Sequence, residues 1–71
     1  MRDANVLRVI VNGSAVEFQS GATVADVVTH VQPAQPFAVA VNMVFVPRTL
    51  HDSHILCADD QIELIVPVTG G

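Results

Sequence analysis

No lysine occurs anywhere in the 71 residues, and the basic side chains are three arginines, Arg2, Arg8 and Arg48, against seven acids, for a formal charge of −4. Phosphate backbones are gripped by clusters of basic side chains, so this balance excludes nucleic acid as a partner. It favours a basic protein surface instead, because opposite charge speeds encounter. Cys57 is the single cysteine, which leaves no internal disulfide and no multi-cysteine metal site. Long hydrophobic runs are missing too. The most apolar stretch, Phe37 to Pro47, is far short of the roughly 20 residues that a membrane helix needs. At the start, Asp3 and Asn5 follow Arg2 and Arg8 breaks the apolar run, which is not the plan of a signal peptide. The expectation is a cytoplasmic protein with no membrane partner. A domain this short buries only about 60% of its unfolded surface, so a deep pocket with its own catalytic apparatus is hard to fit.

What is present argues for a compact fold. A hydrophobic fraction of 51% with 14% charged residues is the opposite of a disordered composition. Val6 to Val11 is dense in β-branched residues and ends at Asn12-Gly13, a dipeptide suited to the positive φ angles of a tight hairpin turn. The second arm alternates, Val16 and Phe18 against Glu17 and Gln19, so one face is buried and one is wet. After Gly21 the period changes, and Val24, Val27, Val28 and Val31 fall on one side of a helix. Thr23 is its expected N-cap, with Asp26 answering in a capping box. Pro33 and Pro36 end the helix by Gln32. Valine is a mediocre helix former, so packing must hold this element. Two short strands, Phe37 to Asn42 and Val44 to Val46, are expected around Asn42-Met43. An irregular crossover over 47–60 follows, with a helical turn near Thr49 to Asp52. A last alternating strand runs from Gln61 to Val68 and fades at Pro67, which has no N–H to donate. The order β-β-α-β-β-β predicts an α+β domain over residues 1–68. It is a mixed sheet of four to five strands with one helix packed across one face, the β-grasp or ubiquitin-like plan, followed by a flexible tail over 69–71.

Among polar residues the terminal Gly70-Gly71 is the most specific feature. With glycine at about 7% of residues, a chance pair at one given place has a probability of roughly 0.5%. The plain alternative is a frayed terminus. Two residues without side chains can thread a channel that excludes any Cβ, and so deliver a carboxylate into another enzyme's active site. Activating that carboxylate takes ATP, and the chain has neither a GxxxxGK[ST] loop nor a lysine. Activation therefore falls to a partner, and the chain is expected to be a protein co-substrate, with no catalytic residue and no bound cofactor of its own. His51 and His54 are too few ligands for zinc and read as surface histidines. His30 reads as a polar-side helix residue. Cys57, between Leu56 and Ala58, reads as a small hydrophobe. Asp59-Asp60 reads as turn chemistry before a strand. Ile10, Ile65 and Pro67, with Ala38 and Ala40, are expected on the sheet face away from the helix as a docking patch. Arg48 is read as a salt-bridge donor or a further docking residue.

Taken together, "VIVNG" at Val9 to Gly13, "GATVADVV" at Gly21 to Val28, "FAVAVNMVFVPR" at Phe37 to Arg48 and "QIELIVPVTGG" at Gln61 to Gly71 resemble the ThiS-type sulfur carriers of thiamine biosynthesis. That resemblance implies that an E1-like adenylating enzyme couples AMP from ATP to the Gly71 carboxylate, with Gly70 providing the narrow approach. Sulfur from a donor system such as a cysteine desulfurase then replaces AMP to give a thiocarboxylate, which thiazole synthase consumes. The small subunit of molybdopterin synthase shares the fold and the ending, although "VNMVFVPR" favours the thiamine type. A ubiquitin-like protein modifier and a plain interaction domain are the readings from other classes. Two positions depart from the family pattern: Met43 and Asp59 stand where it has glycine.

Overall fold

The computed structural model describes residues 5–67. Strands β1 (Val6–Val11) and β2 (Ser14–Gln19) form the first hairpin, α1 (Val24–Val31) crosses the sheet, and β3 (Ala38–Val41) and β4 (Val44–Phe45) form a second hairpin. A 3₁₀ turn at Arg48–Leu50 and strand β5 (Gln61–Ile65) complete the order. The strands make one sheet in the order β2-β1-β5-β3-β4. β5 runs parallel to β1 and antiparallel to β3. This is the mixed sheet with one helix expected of a β-grasp fold.

One face of the sheet meets the helix. Val9, Val24, Val27, Val39 and Ile62 are fully buried there, each contributing about 1.5–3 kcal/mol by leaving water. The valine stripe of α1 does this unevenly: Val24 and Val27 are buried, Val28 packs at the margin, and Val31 is exposed. Local capping supplements the packing. The Asp26 carboxylate accepts from the Thr23 N–H at 2.9 Å and from the Thr23 hydroxyl at 3.4 Å. The first helical N–H groups, which have no partner inside the helix, are met by the crossover: Val24 donates to the His54 carbonyl and Ala25 to that of His51. At the other end Gln32 takes a left-handed conformation, φ 53°, as the C-cap.

Both hairpins close with two residues at positive φ, Asn12 (48°) with Gly13 (86°) and Asn42 (51°) with Met43 (71°). That is the turn whose twist matches the strands. Each asparagine also reaches β5. Asn12 Oδ1 accepts from the Leu64 N–H at 2.9 Å, and Asn42 Oδ1 accepts from the Gln61 N–H at 3.0 Å. Asn42 Nδ2 donates to Asp60 Oδ1 at 2.9 Å, while Asp60 Oδ2 accepts from the Cys57 N–H at 2.8 Å. Asp59, at φ 67°, turns the chain into β5. Both residues that depart from the glycine pattern, Met43 and Asp59, thus hold the backbone that glycine favours.

Several expectations are corrected. β3 begins at Ala38 rather than Phe37, β4 is two residues long, and β5 stops at Ile65, before Pro67, because no strand pairs with Val66. The 3₁₀ turn starts one residue earlier than expected, at Arg48. Val68 lies outside the described residues.

Asn12→Ala removes both the tolerance of positive φ and the acceptor for Leu64. A loss of about 2–3 kcal/mol is expected in urea unfolding, with fast amide exchange at Leu64. Met43→Gly is expected to act in the opposite direction. Met43 is 90% exposed and gains no packing, so relieving its left-handed backbone raises the thermal midpoint by a few degrees, about 0.5–1 kcal/mol. A midpoint lower than that of the parent chain would contradict this.

Candidate functional site

Gly70 and Gly71 lie outside the described residues, and β5 with Val66 and Pro67 is the described segment leading to them. Ile65 and Pro67 are exposed, Ile65 by 50%, and Ile10 is half-buried. Register resolves which of these meet. On the face away from the helix, Ile65 lies opposite Ala38, and Ala40 lies between Glu63 and Phe45. Ile65, Ala38, Ala40 and Phe45 therefore share one apolar surface, with Phe45 62% exposed. Sequence reading missed Phe45 because the length of β4 and its pairing with Ala40 decide the side on which it stands. The signal that would have found it is the two-residue turn, which places Phe45 opposite Ala40. Ile10 pairs instead with Ala15 and Gln61. Gln61 and Ile65 are four residues apart along β5, about 13 Å, and Glu63 stands between them, so Ile10 is outside the patch.

Arg48 is on the other side of the sheet. With Val28 and Thr29 of α1 and with Gln35, Phe37 and His51, it lines an open depression of about 330 Å³ that Asp52 also borders. Arg48 Nη2 donates to Gln35 Oε1 at 3.3 Å, and its Cζ is 5.9 Å from the centroid of Phe37. The Phe37 and His51 rings are stacked, 24° from parallel with centroids 6.4 Å apart. The β3–β5 register, with Ala38 opposite Ile65, sets Phe37 level with Val66 when carried one residue further. The depression and the apolar patch thus flank the same end of β5 on opposite faces.

The remaining polar residues divide clearly. His51 is not a surface histidine: it is 9% exposed, and its Nε2 lies 3.1 Å from the Val46 carbonyl. A carbonyl only accepts, so Nε2 carries the proton. His51 is drawn inside because its backbone carbonyl caps α1, which fixes its side chain beneath Phe37. His54 is half-buried, and His30 packs edge-on against Phe18 at 5.4 Å. Cys57 is exposed rather than a core residue. Leu56 fills the core position beside it, and the chain turns away at once through the Asp60 N–H bond to the Cys57 carbonyl. Among the described residues no group of three or more His, Cys, Asp or Glu could hold a metal ion, and no helix is long and apolar enough to cross a membrane.

A family model, described as the ThiS family, matches residues 5–71. Among solved structures, the crystal structure of the thiamine biosynthesis protein (ThiS) from Geobacter metallireducens is similar, with a TM-score of 0.76 and 20% identity over 92% of this chain and 100% of that one. At that identity the likeness speaks for the fold. No curated protein matches the chain.

Proposed function

The chain belongs to the ThiS family, the sulfur carriers of thiamine biosynthesis, and we propose that its Gly71 carboxylate is the group that carries the sulfur. The observation that supports this reading most directly is that the family match runs through Gly70 and Gly71. In the proposed sequence a partner adenylating enzyme supplies ATP. The Gly71 carboxylate attacks the α-phosphorus, pyrophosphate leaves, and an acyl adenylate forms. AMP is a far better leaving group than oxide, so a persulfide sulfur from the donor system then displaces it at the carbonyl carbon. A thiol cleaves the resulting S–S bond and leaves the thiocarboxylate on the carrier. Thiazole synthase takes the sulfur from there. Gly70 lets the last peptide pass where a Cβ would collide. Chemistry is supplied by the partners, and this chain contributes a rigid handle and a reacting end.

The handle in this reading is the patch of Ile65, Phe45, Ala38 and Ala40 next to the tail. Apolar area beside a reacting terminus is suited to a transient interface, where a few buried side chains carry most of the energy. The ladder already stops at Ile65, and Pro67, with no N–H to donate, cannot resume it, so the partner handles the tail without opening the sheet.

The direct test is intact mass measurement of the full chain after incubation with a cognate adenylating enzyme, ATP and a sulfur donor. An AMP adduct without donor, and the shift for one oxygen replaced by sulfur with it, are the expected results. Absence of both, with the enzyme shown active on another carrier, would sink the proposal. Ile65→Glu is expected to lower kcat/KM for adenylation at least about tenfold, a loss of 1.4 kcal/mol or more, with little change in thermal midpoint. Equal kcat/KM would remove the patch from the interface.

A further inference from the structure

The chain's basic residues are not equivalent. Arg2 is outside the described residues, and Arg8 stands opposite Glu17 on the outer face of the hairpin. Of the two described arginines, Arg48 borders the helix-side depression. Its recorded partners are the Phe37 ring and the Gln35 amide oxygen, both uncharged. A guanidinium has five N–H donors, so these contacts hold the group while, among the described residues, its charge and most of its donors have no hydrogen-bonded or ion-paired partner. The support beneath it is itself braced, since Phe37 stacks on His51 and His51 is tied to the Val46 carbonyl. A planar fork already held on an aromatic face loses little freedom when a carboxylate docks on it.

Position adds the second half of the argument. Carried one residue past its last pair, Ala38 with Ile65, the β3–β5 register sets Phe37 level with Val66 just beyond β5, and Gly71 follows Pro67 by four residues, a reach of at most about 14 Å. A protein that holds Gly71 in its active site therefore comes into contact range of the depression. With a formal charge of −4, the chain otherwise offers acids to its partner, and Arg48 is the place near the tail where an acid is welcome.

We propose that this depression takes one aspartate or glutamate side chain of the protein that adenylates Gly71. Its carboxylate sits on the Arg48 guanidinium, and its methylenes lie against Phe37 and Val28. This rests on the function proposed above. Asp52 borders the same depression and repels a second acid, so the site accepts a single carboxylate rather than an acidic cluster. The contact would fix the carrier's rotation about the tail, because the apolar patch engages one face of the sheet and Arg48 engages the other.

The test compares the full parent chain with Arg48→Gln and Arg48→Lys, reading binding to the adenylating enzyme by calorimetry and adenylation by steady-state kinetics, each at low and high ionic strength. For Arg48→Gln the expected results are a Kd and KM raised at least about tenfold, an unchanged kcat, an unchanged thermal midpoint and a flattened salt dependence. Arg48→Lys, which keeps the charge and loses the fork, should recover part of the affinity and all of the salt dependence. Equal Kd for the parent chain and Arg48→Gln overturns the proposal, as does a loss confined to kcat or a fall in midpoint shared by both variants. Binding and adenylation fail separately: an Arg48-dependent Kd without an AMP adduct keeps the docking and removes the function, while an adduct with an Arg48-independent Kd does the reverse.

Discussion

The structure depends on the way β5 is held between β1 and β3. A strand with a parallel neighbour on one side and an antiparallel neighbour on the other runs out of backbone partners where those neighbours turn away. Asn12 and Asn42 supply the missing acceptors with their side chains, at Leu64 and Gln61. The same two residues occupy left-handed positions that close the hairpins. Turn geometry and the completion of the central strand are thus one device, used twice. Asp60 extends it by accepting from Asn42 and from the Cys57 backbone, which ties the irregular crossover to the start of β5.

Mechanical consequences follow for a protein whose proposed reacting group lies beyond β5. Ile62 and Leu64 anchor that strand in the core, one on each side of the outward Glu63. A partner that pulls on the tail meets resistance from the whole sheet rather than from a fraying edge. The two surfaces at the end of β5 differ in character: an apolar patch of Ile65, Ala38, Ala40 and Phe45 on one face, and a depression with one fixed guanidinium on the other. Two unlike contacts define an orientation better than one larger contact, since each restricts a rotation that the other leaves free.

Met43 shows how far a fold tolerates local conflict. Methionine in a left-handed turn has neither the freedom of glycine nor the self-bonding of asparagine, yet the turn forms. Asn42, held by Gln61 and Asp60, fixes the first turn residue, and the two flanking strands leave the second no alternative. The strain is of order 1–2 kcal/mol. Asp59 meets the same demand more easily, because aspartate visits the left-handed region several-fold more often than most residues.

Much of the architecture was legible in the order of residues. Alternation named β2 and β5, the valine spacing named α1, and the Thr23–Asp26 pair gave its start. Asn12-Gly13 dictated a hairpin by itself, since few dipeptides accept two successive positive φ angles. Gly70-Gly71 pointed to the reacting end proposed above, and the missing lysines and nucleotide loop are the ground for proposing that a partner activates it. Those features are local: they follow from backbone preferences and from the period of one segment. Tertiary structure alone decided the fates of His51, Cys57 and Arg48, and the meeting of Phe45 with Ile65. His51 is buried because its carbonyl caps a distant helix, and Cys57 is exposed because Leu56 takes the core place beside it. Phe45 joins Ile65 through two intervening registers, and Arg48 finds Phe37 only after the crossover has folded back over α1. Each of these depends on residues more than ten positions away or on a choice between neighbours, and no periodicity in a single segment encodes such a choice.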